Sequence, residues 1–111
     1  MNLFGDKVNL NWIDVSDITD MSYLFEDTEF NGDISNWDVS KVLNMNHMFS
    51  MCPFNSDISR WNVSHVKDIR RMFSDATKFN QDISDWDLHS VTDARNMFRN
   101  CNIKNEYKPA V

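Results

Sequence analysis

The side chains able to do chemistry recur along this chain at a nearly fixed interval. Asp33, Asp57 and Asp82 each open an Asp-Ile-Ser triplet, at steps of 24 and 25 residues. A column of carboxylates would suit calcium, which takes several oxygen ligands. No glycine-rich calcium loop accompanies it, and each Asp can instead close its own turn by accepting a backbone N–H two residues on. The turn role is the expected one. His47, His65 and His89 occupy three different places in the recurring unit, and no His or Cys pair has ligand-like spacing, which argues against structural zinc. Ser, His and Asp all occur, yet no nucleophile sits in a recognisable elbow or loop motif. The chain is expected to be no enzyme and to need no metal and no cofactor.

Cys52 and Cys101 are the only thiols, and they lie two repeats apart. Stacked layers are on the order of 5–10 Å apart, whereas a bridge needs Cα atoms within about 7 Å. Both are expected to be free and buried, as in a reducing compartment.

The elements that must position these groups can be read from the repeat itself. Trp37, Trp61 and Trp86, the pairs Phe30-Asn31, Phe54-Asn55 and Phe79-Asn80, and the Asp-Ile-Ser triplets all keep the same two steps. Leu24-Phe25, Met48-Phe49, Met72-Phe73 and Met97-Phe98 add a fourth copy, and the one extra residue lies between Phe73 and Phe79. Within a unit, Trp37-Asp38-Val39 alternates as a short half-buried strand does. Val42, Met45, Met48 and Phe49 then keep the spacing of one helix face. Asp20, Asn44, Asp68 and Asp93 precede that stretch and predict N-caps. Stacking the units would bury Trp on Trp and Met-Phe on Met-Phe. Asn31, Asn55 and Asn80 would form a column bonding backbone groups of neighbouring turns, with Ser35, Ser59 and Ser84 doing the same beside it. The expected fold class is α/β: a short, leucine-rich-repeat-like solenoid of about four 24–25-residue units, each a short parallel strand plus a short helix. One domain spans 1–111, with an N-terminal cap at 1–12 in which Leu3, Phe4 and Val8 lid the first layer, repeats at 13–103, and a C-terminal cap at 104–111.

Phe-Asn-x-Asp-Ile-Ser-x-Trp-Asp-Val-Ser followed by Val-x-x-Met-x-x-Met-Phe resembles the BspA-like, DUF285 type of repeat found in bacterial surface proteins. The resemblance covers roughly residues 10 to 103. It implies a solenoid related to leucine-rich repeats, and binding rather than catalysis, since many relatives are adhesins or lipid-anchored surface proteins. This chain is expected to depart from those relatives in lacking a signal peptide, a lipid-attachment cysteine near its start and a long array. Short, leaderless members resemble proteins carried by phages and other mobile elements.

Composition narrows the partners. The chain has 11 basic and 17 acidic residues, a net charge of −6, which disfavours direct binding to nucleic acid or anionic lipid. No apolar run is long enough to span a membrane. A cytoplasmic location is expected, in a host cell if the protein is phage-encoded. Residues 1–40 hold nine acidic groups against Lys7 alone, a net of −8, and residues 41–111 a net of +2. Such a field steers a basic partner. If Trp37 and its equivalents point inward, their neighbours point outward, so Trp12, Asp14, Asp38, Arg60, Asn62, Asp85 and Asp87 are the candidate partner-binding residues on an exposed strand face. Trp12 is either an interface anchor or a cover for the first layer. The leading expectation is a protein–protein interaction module. The alternative is a phage or mobile-element inhibitor that displaces nucleic acid from a basic host protein by acting as its acidic mimic. Imperfect caps at Trp12 or Tyr107 would permit end-to-end pairing into a homo-oligomer.

Overall fold

The structure, a computed structural model, describes residues 8–111; the proposed lid residues Leu3 and Phe4 lie outside the described residues. The chain runs through four stacked layers, at 8–31, 32–55, 56–80 and 81–104, and ends in a short tail. The cross-layer hydrogen bonds that recur at all three junctions fall at three places.

The first fastener is a backbone ladder. Met21, Tyr23, Phe25 and Asp27 donate their N–H groups to the carbonyls of Asn44, Asn46, Met48 and Ser50, at 2.9–3.0 Å, and Leu43 N–H returns a bond to Thr19. The same five bonds recur between layers two and three and between three and four, ending with Arg71 to Arg95, Phe73 to Met97 and Asp75 to Arg99. The second fastener is the indole: Trp37, Trp61 and Trp86 donate Nε1–H to the carbonyls of Leu10, Ile34 and Ile58, at 2.9, 3.1 and 3.1 Å. The third is an asparagine column. The side-chain oxygens of Asn31, Asn55 and Asn80 accept the N–H groups of Asn55, Asn80 and Lys104 at 2.8–3.0 Å.

The expected α/β alternation is not what these layers contain. Among the described residues the helical content is one 3₁₀ turn, Asn105–Tyr107, and strand pairing is reduced to isolated parallel bridges such as Asp20 with Asn44. The helix fails because of where its N–H groups go. In layer two Met45, His47, Phe49 and Met51 donate across to layer three, while Met48 and Ser50 close turns onto Met45 and His47. No donor is left for an i−4 carbonyl. The apolar spacing of Val42, Met45, Met48 and Phe49, all buried, is thus the spacing of successive turns. No backbone ladder forms beside the indoles. Trp37 and Val39 face in and Asp38 out, but the Trp37 N–H closes a turn onto Ile34, and the cross-layer bond there comes from the indole, whose rings stack at 6.5 and 6.4 Å.

Turn chemistry replaces the missing elements. Each expected N-cap does accept a backbone N–H two residues on: Asp20 from Ser22, Asn44 from Asn46, Asp68 from Arg70 and Asp93 from Arg95. Each of these caps opens a run of turns instead of a helix. Ser35 and Ser84 donate to Asp33 and Asp82 of their own corner, not to a neighbouring layer as expected. Left-handed backbone occurs at Tyr23, His47, Arg71 and Asn96, and again at Asp27, Met51, Asp75 and Asn100, with φ of 52–62°. No glycine is used at either position. Each such residue costs about 1–2 kcal/mol, and its N–H in layers one to three is held by the ladder, which offsets the strain. Gly32 serves a close approach: a Cβ there would lie 2.2 Å from the Val8 carbonyl, which accepts the Asp33 N–H.

Between the fasteners the core is an aromatic stack. Phe25, Phe49, Phe73 and Phe98 succeed one another at 5.7, 5.4 and 5.7 Å, and Phe30, Phe54 and Phe79 at 5.9 and 6.1 Å. Cys52 and Cys101 are both unbridged; Cys52 is buried and Cys101 half-buried.

This construction makes three outcomes testable. Asn55→Ala strands the Asn80 N–H and should cost about 1 kcal/mol, read as a fall of roughly 4–8 °C in thermal midpoint. Met51→Val, which forces a β-branched residue to positive φ, should destabilise by about 1–2 kcal/mol, while Met51→Gly should be neutral or stabilising by chemical denaturation. The corner carboxylates Asp14, Asp20, Asp33, Asp38, Asp57 and Asp82 are held below their usual range by hydrogen bonds from the serine two residues on. Their folded values lie below the unfolded one near 3.9, so their contribution is complete above that pH and vanishes as pH falls through the folded values. The thermal midpoint should therefore hold between about pH 7 and 5 and drop steeply below about pH 4.

Candidate binding face

The buried indoles decide which side chains reach solvent. Because Trp37, Trp61 and Trp86 point inward, the residues on either side of each point outward. All seven candidates, Trp12, Asp14, Asp38, Arg60, Asn62, Asp85 and Asp87, are exposed. The layers sort them into two columns. One contains Trp12, Asn36, Arg60 and Asp85, and the other Asp14, Asp38, Asn62 and Asp87.

The second column is built alike in every layer. Asp14 accepts the N–H and hydroxyl of Ser16 at 3.0 and 2.6 Å, and Asp38 those of Ser40 at the same distances. Asn62 accepts both from Ser64, at 3.1 and 2.6 Å. Asp87 accepts the N–H of His89 and faces its Nδ1 at 2.8 Å. These bonds use Oδ1 alone, leaving the outer Oδ2 of Asp14, Asp38 and Asp87 without a hydrogen-bond partner among the described residues. The donors hold each carboxyl below its usual range, through Ser16, Ser40 and His89 respectively, so all three stay ionised at neutral pH. Asp14 and Asp38 oppose each other weakly, and Lys41, itself bonded to Asp17 at 2.9 Å, moderates both.

Trp12 does not cover the first layer: it is 80% exposed. In that layer the indole position is held by Ile13, itself 36% exposed, which leaves Trp12 one residue earlier and outside.

Sequence reasoning missed a groove beside this wall. A shallow hollow of about 600 Å³ is lined by Asn31, Asp33, Asn55, Asp57, Arg60 and Gln81. Its signal was present in the two parallel columns, Asn31, Asn55, Asn80 and Asp33, Asp57, Asp82, which run two residues apart. Arg60 belongs to both the groove and the outer wall, and its charge helps to depress Asp33 and Asp57. The Asp33, Asp57 and Asp82 carboxylates spend one oxygen each on their own serine corner, as the turn reading requires. No group of three or more potential metal ligands occurs among the described residues. The histidines are dispersed: His47 stacks on Tyr23 at 4.6 Å, His65 meets the Ser40 carbonyl at 3.0 Å, and His89 sits on Asp87. Among the described residues, no helix is long and apolar enough to cross a membrane. What the face offers is a fixed array of hydrogen-bond acceptors, mostly charged, with one guanidinium and one indole.

Neither a curated protein nor a solved structure matches the chain. A family model described as "Mycoplasma protein of unknown function, DUF285" matches residues 2–109. That span takes in all four layers and the three fasteners that join them, and the chain belongs to the DUF285 family.

Proposed function

We propose that this protein is a binding module that takes a basic protein partner on the wall formed by Trp12, Asp14, Asp38, Arg60, Asn62, Asp85 and Asp87. The observation that carries the reading is the pinning of Asp14, Asp38 and Asp87 by residues of their own corners, with one oxygen of each turned to solvent. Carboxylates already oriented lose little freedom on binding, and preorganised charge favours affinity and encounter rate. Trp12 supplies the apolar anchor such interfaces use. The groove beside Arg60 gives the partner a second place to lodge a polar side chain. The same carboxylates would let the wall displace nucleic acid from a basic protein, which added DNA would reveal as competition.

Asp38→Asn together with Asp87→Asn is the informative variant, because Asn62 already holds the equivalent corner in layer three as an amide. The pair should weaken capture of a basic partner about tenfold and flatten its salt dependence. The thermal midpoint should scarcely move. Equal capture by the variant and the parent would sink the assigned wall.

A further inference from the structure

Among the described residues, the ladder that joins the layers is left unmade at both ends of the stack. At one end the N–H groups of Ala94, Asn96, Phe98 and Asn100 and the carbonyl of Thr92 have no partner among the described residues. At the other end the same holds for the carbonyls of Asp20, Ser22, Leu24 and Glu26 and the N–H of Thr19. These are the two halves of the five-bond junction found three times inside the chain. One end presents mainly donors and the other mainly acceptors, so each end complements the opposite end and not itself.

Charge has the same polarity. Arg95 and Arg99 flank the donor end, while Asp20 and Glu26 flank the acceptor end. Within the stack, Arg70 Nε approaches Asp93 of the next layer at 3.6 Å. The same step from the last layer brings Arg95 beside Asp20 of a second copy and Arg99 beside its Glu26. The acceptor end is also apolar where it should be covered. Ile18 and Leu24 are 38% and 45% exposed, whereas Val42, Val66, Met48 and Met72 at the equivalent positions are 0% exposed. Half-buried Val91, Ala94 and Phe98 are the apolar groups at the donor end.

We propose that a second copy of this chain docks head to tail, its first-layer turn run at 19–27 completing the open ladder of residues 92–100. The contact is heterologous and does not close, so it propagates into linear assemblies. It is reversible, because only one of the three fasteners is present: Ile13 stands where a donor indole would be, and Lys104 where an asparagine would be. The tail opposes it. Residues 105–111 occupy the place that residues 8–14 of an incoming copy would take, held by the Ile83 N–H to the Tyr107 carbonyl at 3.1 Å and by Lys108 over the Phe98 ring at 5.6 Å. Docking exchanges that one backbone bond for five. Trp12 and Asp14 of the incoming copy fall in the stretch that replaces the tail, while the other residues of the partner-binding wall are not used.

The test blocks one end at a time in the full chain. Glu26→Arg disables the acceptor end and Arg99→Glu the donor end, and both leave the internal ladder intact. Sedimentation velocity of the parent protein should show mass rising with concentration without a fixed end point. Each variant alone should need about ten times the concentration or more to associate. An equimolar mixture of Leu24→Glu and Arg99→Glu, which still contains one good donor end and one good acceptor end and whose blocked ends are both acidic, should form a complex that stops at two chains. Leu24→Glu provides an independent block of the acceptor end if Glu26→Arg loses its near-ultraviolet tryptophan signal. A parent that stays monomeric up to its solubility limit, or a mixture no heavier than its components, overturns the proposal.

Discussion

The backbone N–H groups of the turn run point along the stack, and most of the structure depends on this. In an ordinary helix those donors are consumed within four residues, and a layer could exist without its neighbour. Here Met45, His47, Phe49 and Met51 find partners only in the next layer. A single layer would leave these four amides without partners and also bear left-handed residues without compensation. Order within a layer and contact between layers are therefore one event, as expected for units whose stability comes from nearest-neighbour terms.

The three fasteners divide the task by donor type. Along the turn run, main chain meets main chain directly. At the tryptophan side the rings are 6.4–6.5 Å apart, and a long rigid side chain carries the donor across. At the asparagine side a short amide does the same. Each indole is thus both core and connector: its ring packs in the aromatic column while its Nε1–H adds a second bond to a carbonyl of the preceding layer that already accepts a turn N–H, as Ile34 does from Trp37. The polar wall is a by-product of this arrangement, since corners that fix the chain direction leave their second carboxylate oxygen facing water.

Much of this was legible in the sequence. The interval of Trp37, Trp61 and Trp86 set the layer length, and the alternation around each indole identified the outward residues. The Asn31, Asn55 and Asn80 column was readable because an amide recurring at a bend has few other uses. The secondary structure was not legible, for a physical reason. Buried residues at i, i+3, i+6 and i+7 arise equally from a helix and from turns repeating every two to four residues, and periodicity alone cannot separate them. The distinguishing feature, positive φ at Tyr23, His47, Arg71 and Asn96, is normally announced by glycine, and none is present. Trp12 was readable as an outward residue, but its exposure depended on whether the first layer needed a lid. The groove escaped because it lies between two columns, each of which has a complete explanation in its own turn.

The extra residue of the third layer falls between Asp75, the last ladder donor, and Asn80, where the asparagine column resumes. Thr77 and Lys78 there are exposed. That corner is the hinge of the unit's arithmetic: chain length can drift there without moving any donor out of step. An insertion between Ile69 and Asp75 would rotate every later amide by one place and aim it into the turn. A foreign loop grafted at Thr77 and Lys78 would accordingly leave the stack's register undisturbed.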